Sequence, residues 1–311
     1  MSESDARYRS FVARGGVADF SERVKVRLTG ADRVRYLNGQ ITANVLKLAP
    51  GVARSACVTT AKGRLCADVF IHATTDALFL DADAAVRETL PPRLDHYIIS
   101  DDVVLEDVSN EMHLLHLVGE AIERADLFEG AALTSHANRL GRPGLDVWID
   151  TAVFAKVWDA LAGVFAVLDE SLIESMRIEA GIPRWGCELD ENTLPPEAGL
   201  ERTHIDYDKG CYVGQEVISR LKSIGHVNRR LAGFLAPDKM PLTTGMQLFR
   251  PGADSGEIGV LTSAGWSFAL EKSCALGYLK RGSPIGELLA RNTGEPGPGR
   301  IVFAQELPLT S

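Results

Sequence analysis

Apolar and polar positions in the first hundred residues follow the periods of short strands and helices. Residues 21–30 alternate as in a half-buried strand that ends at a glycine turn, and Asp32 can then cap a short helix. Two further strand-like segments flank a turn at Gly63, where glycine can supply the unusual dihedral angle. We predict a first α+β unit over residues 20–110, preceded by a weakly structured N-terminal arm at residues 1–19.

A similar order of strands and helices returns over residues 111–230, although the two halves share no close sequence repeat. This order predicts two related α+β halves of a ferredoxin-like type, each with helices on one face of its sheet. From residue 231 the pattern changes to short strands separated by glycine and proline turns, which is typical of a small antiparallel β-barrel. The predicted fold is therefore α+β, with a C-terminal β-barrel at residues 231–311.

An irregular segment, residues 182–208, interrupts this periodicity and is rich in proline, glycine and acidic residues. A long irregular segment within a compact protein is more often functional than idle. Glu197 follows two prolines, which fix the local backbone and therefore the direction of the carboxylate. Such a carboxylate can accept paired hydrogen bonds from a heterocycle such as an aminopyrimidine. The alternative is a solvated loop charge.

Composition narrows the class of protein. The chain has 311 residues and a net charge of −9, which argues against general binding to nucleic acid. Its five cysteines include no closely spaced CxxC pair, so reduced thiols are expected rather than a disulfide framework or a zinc site. No secretory signal and no apolar run of membrane-spanning length is present, which predicts a cytoplasmic protein without a membrane span or a bound metal.

Cys211 lies within a turn bracketed by Gly210 and Gly214, just before a helix-like run. Free backbone N–H groups and the helix dipole favour an anion at such a position, so the turn favours a reactive thiolate. Basic residues surround it in the sequence, with Glu216 as the single acid: Lys209, Arg220, Lys222, Arg229 and Arg230. The alternative is that the cysteine is a small buried residue and the glycines only form a turn.

A thiol hydrolase would need a base beside Cys211. His226 is the candidate nearest in sequence, fifteen residues away, and a surface or capping histidine is the simpler interpretation. This hypothesis requires a hydrogen bond between the thiol and the imidazole.

Residues 177–220 resemble the hallmark segment of the YgfZ group, which are folate-binding relatives of the glycine-cleavage T-protein. The signature of that group, K-G-C-[FY]-x-G-Q-E, is matched in full by "KGCYVGQE" at residues 209–216. Further similarity covers "VRLTGADRVRYLNGQITANV", "LDHYIISDDVVLEDVS" and the segment of the predicted barrel from "GEIGVLTSAG" to "ALGYLKR". Nearly the whole chain from about residue 20 is covered.

The resemblance implies that the two halves enclose a channel for tetrahydrofolate or a one-carbon derivative. Glu197 would hold the pteridine ring, with Tyr212 also among the folate-binding residues. Arg229, Arg230 and the strand from Gly63 to Asp68 would line the channel.

The same resemblance implies a role in the assembly or repair of iron–sulfur clusters in client enzymes, with an indirect effect on tRNA modification. Cys211 and Lys209 would serve that activity through transient contacts, without direct nucleic-acid or membrane partners.

One departure from the T-protein leaves two functions open. The T-protein carries an acidic pair after its glycine turn, whereas this chain has Ala67 followed by Asp68. The T-protein also lacks the signature cysteine. The protein is therefore either a folate-binding accessory protein or a folate-dependent one-carbon transferase or demethylase, in which Asp68 acts as general base or cation stabiliser. Cys211, Lys209 and Asp68 are the candidate catalytic residues.

Overall fold

The computed structural model describes residues 3–119, 122, 125–253, 255–292 and 299–310. Within these residues the chain forms two five-stranded sheets and one closed barrel. No helix in these ranges is long and apolar enough to cross a membrane.

The first sheet is fully antiparallel, and helices cover one of its faces. Its strands are β2 (Val24–Thr29), β3 (Arg54–Thr59), β4 (Leu65–Ala73), β5 (Leu78–Ala82) and β6 (Val104–Asp107), in the order β3-β4-β5-β2-β6. Leu37 of helix α2 (Arg33–Gln40) and Leu94 of helix α3 (Leu90–Asp95) belong to the apolar core beneath this sheet. Asp32 precedes α2 as predicted, but its carboxylate accepts from the Asp102 N–H and does not cap the helix.

The second sheet combines one strand from the predicted N-terminal arm with four strands from the predicted second half. It contains β1 (Gly16–Asp19), β7 (Met112–Val118), β8 (Ala131–Ala137), β9 (Gly144–Asp150) and β10 (Ala166–Val167), in the order β10-β1-β7-β9-β8. Helix α4 (Phe154–Val164) covers one face, where Val157 and Leu161 pack against apolar residues of the sheet. Helix α5 (Glu170–Ala180) follows and leads into the irregular segment.

The prediction of a weakly structured arm is wrong. Helix α1 (Glu3–Arg14) buries Phe11 against Leu172 and Met176 of α5, and β1 pairs with β7 and β10. The order of this segment comes from contacts with residues more than 90 positions away, which no local pattern reveals.

The C-terminal region is a closed six-stranded barrel. Its strands are β11 (Arg229–Leu235), β12 (Gln247–Phe249), β13 (Gly259–Ser267), β14 (Lys272–Lys280), β15 (Gly286–Arg291) and β16 (Arg300–Gln305), in the order β11-β14-β13-β12-β15-β16. Phe234, Leu248 and Leu288 fill its interior. Helix α6 (Gln215–Ser223) lies just before it in the chain. The predicted α+β class with an antiparallel barrel is confirmed.

Candidate functional site

A cavity of about 960 Å³ lies where the two halves, the irregular segment and the C-terminal end of the chain meet. Its lining includes Asp68 and Phe70 of β4, the connection at residues 136–144, residues 198–200 and 202–205, and residues 306–308. A volume of this size suits a ligand as large as a cofactor. The cavity is therefore the first candidate for a binding site.

Asp68 is half-buried in the cavity wall because side chains alternate along β4. Ala67 and Val69 pack into the core of the first sheet, so Asp68 and Phe70 face the cavity. Burial raises the pKa of Asp68, and the positive charge of Arg23 opposes that rise only in part. Within the described ranges no other residue forms a hydrogen bond or an ion pair with the Asp68 carboxyl group. A carboxyl group in this state can exchange a proton or bind a ligand.

Two other buried aspartates behind the cavity are fully engaged. The Arg139 guanidinium donates to Asp81 Oδ1 and Oδ2 at 2.8 and 2.6 Å, and its Nε donates to Asp146 at 2.8 and 2.9 Å. His116 Nδ1 lies 2.7 Å from Asp146 Oδ1, and His72 Nε2 lies 3.2 Å from Asp81 Oδ2. We call these five residues the interface network, because they join strands of the first sheet to strands of the second.

The interface network holds both of its carboxylates in the ionised form. Burial alone would raise the pKa of Asp146, but Arg139 and His116 lower it to about 2. Arg139 and Arg23 likewise hold the pKa of Asp81 well below its usual range, against the effect of burial. Arg139 also belongs to the cavity lining and lies 4.1 Å from the centre of the Phe70 ring. The network therefore fixes part of the cavity wall.

Glu197 and Arg229, both predicted to bind folate, are brought together by the fold. Glu197 is buried in a short 3₁₀ helix (Pro195–Ala198), and its Oε2 accepts from Arg229 Nε at 2.9 Å. The Arg229 guanidinium lies 4.1 Å from the centre of the Tyr278 ring. Neither side chain belongs to the cavity lining, which reaches Ala198, the next residue after Glu197. The pair therefore lies beside the cavity.

Arg230 and Gly63, which were predicted to line the channel, do not belong to the lining of this cavity. Arg230 donates to Glu306 at 2.6 Å, and Gly63 packs against Val217 of α6. Because Arg229 and Arg230 have acidic partners distant in sequence, the basic cluster predicted around Cys211 is partly neutralised. On this side the lining instead includes Leu231, the residue after Arg230.

Lys209 is held by backbone carbonyl groups, and its role as a catalytic residue stays a prediction. Its buried ammonium group donates to the carbonyl oxygens of Asn38, Ile41 and Ala43 at 2.6, 2.7 and 2.7 Å. These three acceptors use all three N–H donors and lie at the C-terminal end of α2 and just beyond it. Burial lowers the pKa of Lys209 to about 8. The side chain anchors the signature turn to the first half.

Cys211 is exposed and lies outside the cavity lining. Helix α6 begins at Gln215, with Gly214 in the left-handed conformation as its N-cap, so the thiol lies four residues before the helix. Tyr212 points inward and packs with Ile205 and Ile218, which gives it a structural place and no contact with the cavity. The turn thus buries its lysine and tyrosine and presents its sulfur to solvent.

The hydrolase hypothesis receives no support. His226 is exposed, and no hydrogen bond joins it to Cys211 in the part of the chain that the structure describes. Without that contact the imidazole has no path to the thiol proton.

Family comparisons agree with this architecture. Residues 4–125 match the GCVT N-terminal domain, and residues 229–301 match the glycine cleavage T-protein C-terminal barrel domain. The chain carries both domains of the glycine cleavage T-protein family. The family part of the resemblance is thereby confirmed, whereas membership of the YgfZ group stays a prediction.

Curated relatives of the T-protein family match over most of the chain. An aminomethyltransferase of Rubrobacter xylanophilus is 28% identical and covers 96% of this chain and 84% of its own. An aminomethyltransferase of Picosynechococcus sp. is 26% identical, with 85% and 78% covered. A solved structure, the glycine cleavage system aminomethyltransferase T of Bartonella henselae, superposes with a TM-score of 0.82 at 18% identity, with 96% and 86% covered. That last likeness shows the fold.

Sequence patterns missed two polar residues of the cavity lining, Arg54 and His204. The His204 ring contacts the neighbouring Thr203, with 2.7 Å between His204 Nδ1 and Thr203 Oγ1. Burial and, to a smaller extent, the positive charge of Arg54 together lower the pKa of His204 to about 4. His204 lies in the irregular segment and Arg54 at the start of a strand, so no periodicity distinguishes either from a surface residue.

Proposed function

We propose that this protein binds tetrahydrofolate or a one-carbon derivative in the central cavity and catalyses folate-dependent one-carbon transfer there. The observation that carries this proposal is Asp68, a half-buried carboxyl group without a protein partner in the described ranges, in the wall of a 960 Å³ cavity. Aminomethyltransferases among the relatives support the same type of reaction.

Asp68 would act as general base or cation stabiliser beside the reacting nitrogen of the folate. A raised pKa brings a carboxyl group closer to the working pH, which improves proton transfer in both directions. When ionised, the same group stabilises positive charge that develops on a nitrogen. Phe70 and Leu231 would supply apolar contact for the ligand, as is usual in cofactor-sized pockets.

Glu197 would contribute to folate binding from beside the cavity. Its carboxylate already accepts from Arg229, so a pterin ring would have to share or replace that hydrogen bond. The buried position of Glu197 and its prolines keep the carboxylate fixed, which favours oriented hydrogen bonding.

The decisive experiment compares Asp68→Asn with Asp159→Asn, an exposed aspartate of α4 far from the cavity lining. Calorimetry with tetrahydrofolate measures binding, and transfer of an aminomethyl-type one-carbon group to tetrahydrofolate measures turnover. We expect Asp68→Asn to retain binding within a few-fold and to lose about 10²- to 10⁴-fold in turnover. Asp159→Asn should match the wild type. Absence of binding to the folded wild type at high micromolar folate would overturn the proposal.

A second candidate function, the accessory role for iron–sulfur enzymes, is favoured by the position of Cys211. The thiol is exposed on an anchored turn outside the cavity, which suits contact with another macromolecule better than reaction with a bound folate. Any cluster contact would be shared and transient, since a stable cluster usually needs four ligands. Effects on tRNA modification would follow through the client enzymes.

The accessory role is tested in cells that depend on this protein. Cys211→Ser should lower the activity of iron–sulfur enzymes, whereas Cys187→Ser, a partly exposed cysteine elsewhere, should not. Normal iron–sulfur activity in the Cys211→Ser strain counts against the role. If Asp68→Asn abolishes one-carbon transfer while Cys211→Ser leaves both activities intact, the transferase function stands alone.

A further inference from the structure

We propose that Arg54 and His204 form a carboxylate-binding subsite of the central cavity, which makes the protein select ligands that carry a carboxylate group. The inference rests on the proposed function, since it names the part of a folate that this subsite would hold. Both residues belong to the cavity lining.

His204 is fixed in place by its own backbone. Its N–H donates to the Leu200 carbonyl at 2.9 Å, and its carbonyl accepts from Thr42 Oγ1 at 2.6 Å. Thr42 Oγ1 also accepts from the N–H of Cys57, at 2.8 Å, which ties this part of the irregular segment to β3. Arg54 is the first residue of the same strand. The two side chains are therefore held on one side of the cavity.

The His204 ring has one nitrogen engaged and one available. Thr203 Oγ1 lies 2.7 Å from Nδ1, and Nε2 has no hydrogen-bond partner within the described ranges. When the Thr203 hydroxyl donates to Nδ1, the proton of the neutral ring stands on Nε2. Burial and the nearby Arg54 charge both disfavour a second proton, which lowers the pKa of His204 to about 4. Near neutral pH the neutral ring in that tautomer offers an N–H donor at Nε2.

Arg54 supplies the positive charge of the subsite. It is exposed at the cavity and forms no ion pair within the described ranges, although the chain as a whole carries a net charge of −9. The acids of the lining other than Asp68 are already engaged. Glu306 pairs with Arg230, and Glu179 accepts from Ser175 and Ser267. A ligand carboxylate would therefore meet one guanidinium group and one neutral N–H donor without a competing protein acid.

A guanidinium group and an imidazole N–H together match a carboxylate better than they match a neutral ring. Charge-assisted hydrogen bonds from arginine to carboxylate are among the stronger polar contacts, and two donors fix the orientation of the group. In a folate the pterin ring would approach Asp68 while the carboxylate end lies against Arg54 and His204. This division of the ligand between a reacting end and an anchoring end predicts a measurable selectivity.

The test uses two probes with the same reduced ring: tetrahydrofolate, which carries carboxylates, and 6-methyltetrahydropterin, which carries none. Calorimetry at pH 7.5 would compare the wild type with Arg54→Gln, His204→Leu and His204→Gln. The matched control is Arg281→Gln, an exposed arginine outside the cavity lining. Thermal unfolding of each variant verifies that it is folded.

We expect Arg54→Gln and His204→Leu each to weaken tetrahydrofolate binding about tenfold, with no more than twofold change for the pterin. His204→Gln keeps an N–H donor and should lose less, and Arg281→Gln should match the wild type. Equal losses for both probes, or no loss for either, would overturn the subsite. Equal wild-type affinity for both probes overturns the subsite alone, whereas absence of binding by either probe overturns the proposed function as well.

Discussion

Three aspartates lie at or near the cavity wall, Asp68 in its lining and Asp81 and Asp146 on the lining residue Arg139, and their surroundings differ. Asp81 and Asp146 are fully buried, and each is bound by Arg139 and contacted by a histidine. Asp68 is half-buried in the cavity wall, and nothing in the described ranges pairs with it. The pKa values accordingly move in opposite directions, down for the paired carboxylates and up for Asp68.

The difference separates carboxylates that stabilise the fold from one that is available for chemistry. Removing one member of a well-paired buried ion pair is costly, because the remaining charge stays buried without compensation. A carboxyl group is a candidate functional group when burial disfavours its ionised form and no paired cation favours that form again. Four predictions, including the turnover of Asp68→Asn given above, test this separation.

Removal of Arg139 should have the largest effect on stability. Arg139→Leu leaves the buried Asp146 without a guanidinium partner and leaves Asp81 with Arg23 alone. We expect a cost of about 3–5 kcal/mol in the free energy of unfolding. Urea unfolding measures this. The control Arg27→Leu breaks a surface pair with Glu106 and should cost less than about 1 kcal/mol. Similar costs for both variants would show that the interface network does not hold the two halves together.

Lys209 extends the comparison to a buried cation whose partners are all carbonyl groups. Lys209→Met removes three hydrogen bonds from the end of α2 and should lower the free energy of unfolding by about 2–3 kcal/mol. It should also loosen the signature turn, so that a disulfide reagent modifies Cys211 at a changed rate. Lys62→Met, on an exposed turn, is the matched control. Unchanged stability and unchanged thiol reactivity would contradict the positioning role.

The smallest effect on stability is expected from Asp68. Its direction shows in how the free energy of unfolding changes with pH. The folded pKa of Asp68 is raised above its unfolded value. The folded protein therefore loses stability from this group as pH rises from the unfolded pKa, near 4, through the higher folded pKa. Asp68→Asn should therefore equal the wild type near pH 3 and become progressively more stable than it towards neutral pH. Urea unfolding at a series of pH values checks this.

For Asp81 and Asp146 we expect the opposite dependence of stability on pH. Their folded pKa values are lowered, so their stabilisation is present above pH 4 and is lost as pH falls through the lowered folded pKa values, which is about 2 for Asp146. An Asp68→Asn variant that becomes less stable than the wild type with rising pH would place Asp68 among the paired carboxylates and remove the basis of the comparison.

Local patterns predicted the elements but not all of their partners. The periods of β4 and α2, and the glycine-rich strands of the barrel, were sufficient to predict the fold class. The prolines before Glu197 correctly indicated a fixed side chain, whereas its pairing with Arg229 depends on the position of the barrel. The N-terminal arm was predicted wrongly, because α1 and β1 are ordered by residues distant in sequence.

The sequence by itself determined the α+β class, the barrel and the family resemblance, since each depends on side-chain period or on residues adjacent in the chain, and it named Asp68 as a candidate. Only the tertiary structure decided which polar groups are free. Lys209 is saturated by carbonyls, Cys211 is exposed outside the cavity, and His204 lines it. The reason is physical: whether a charge is paired or available depends on burial and on partners that the fold brings from far along the chain.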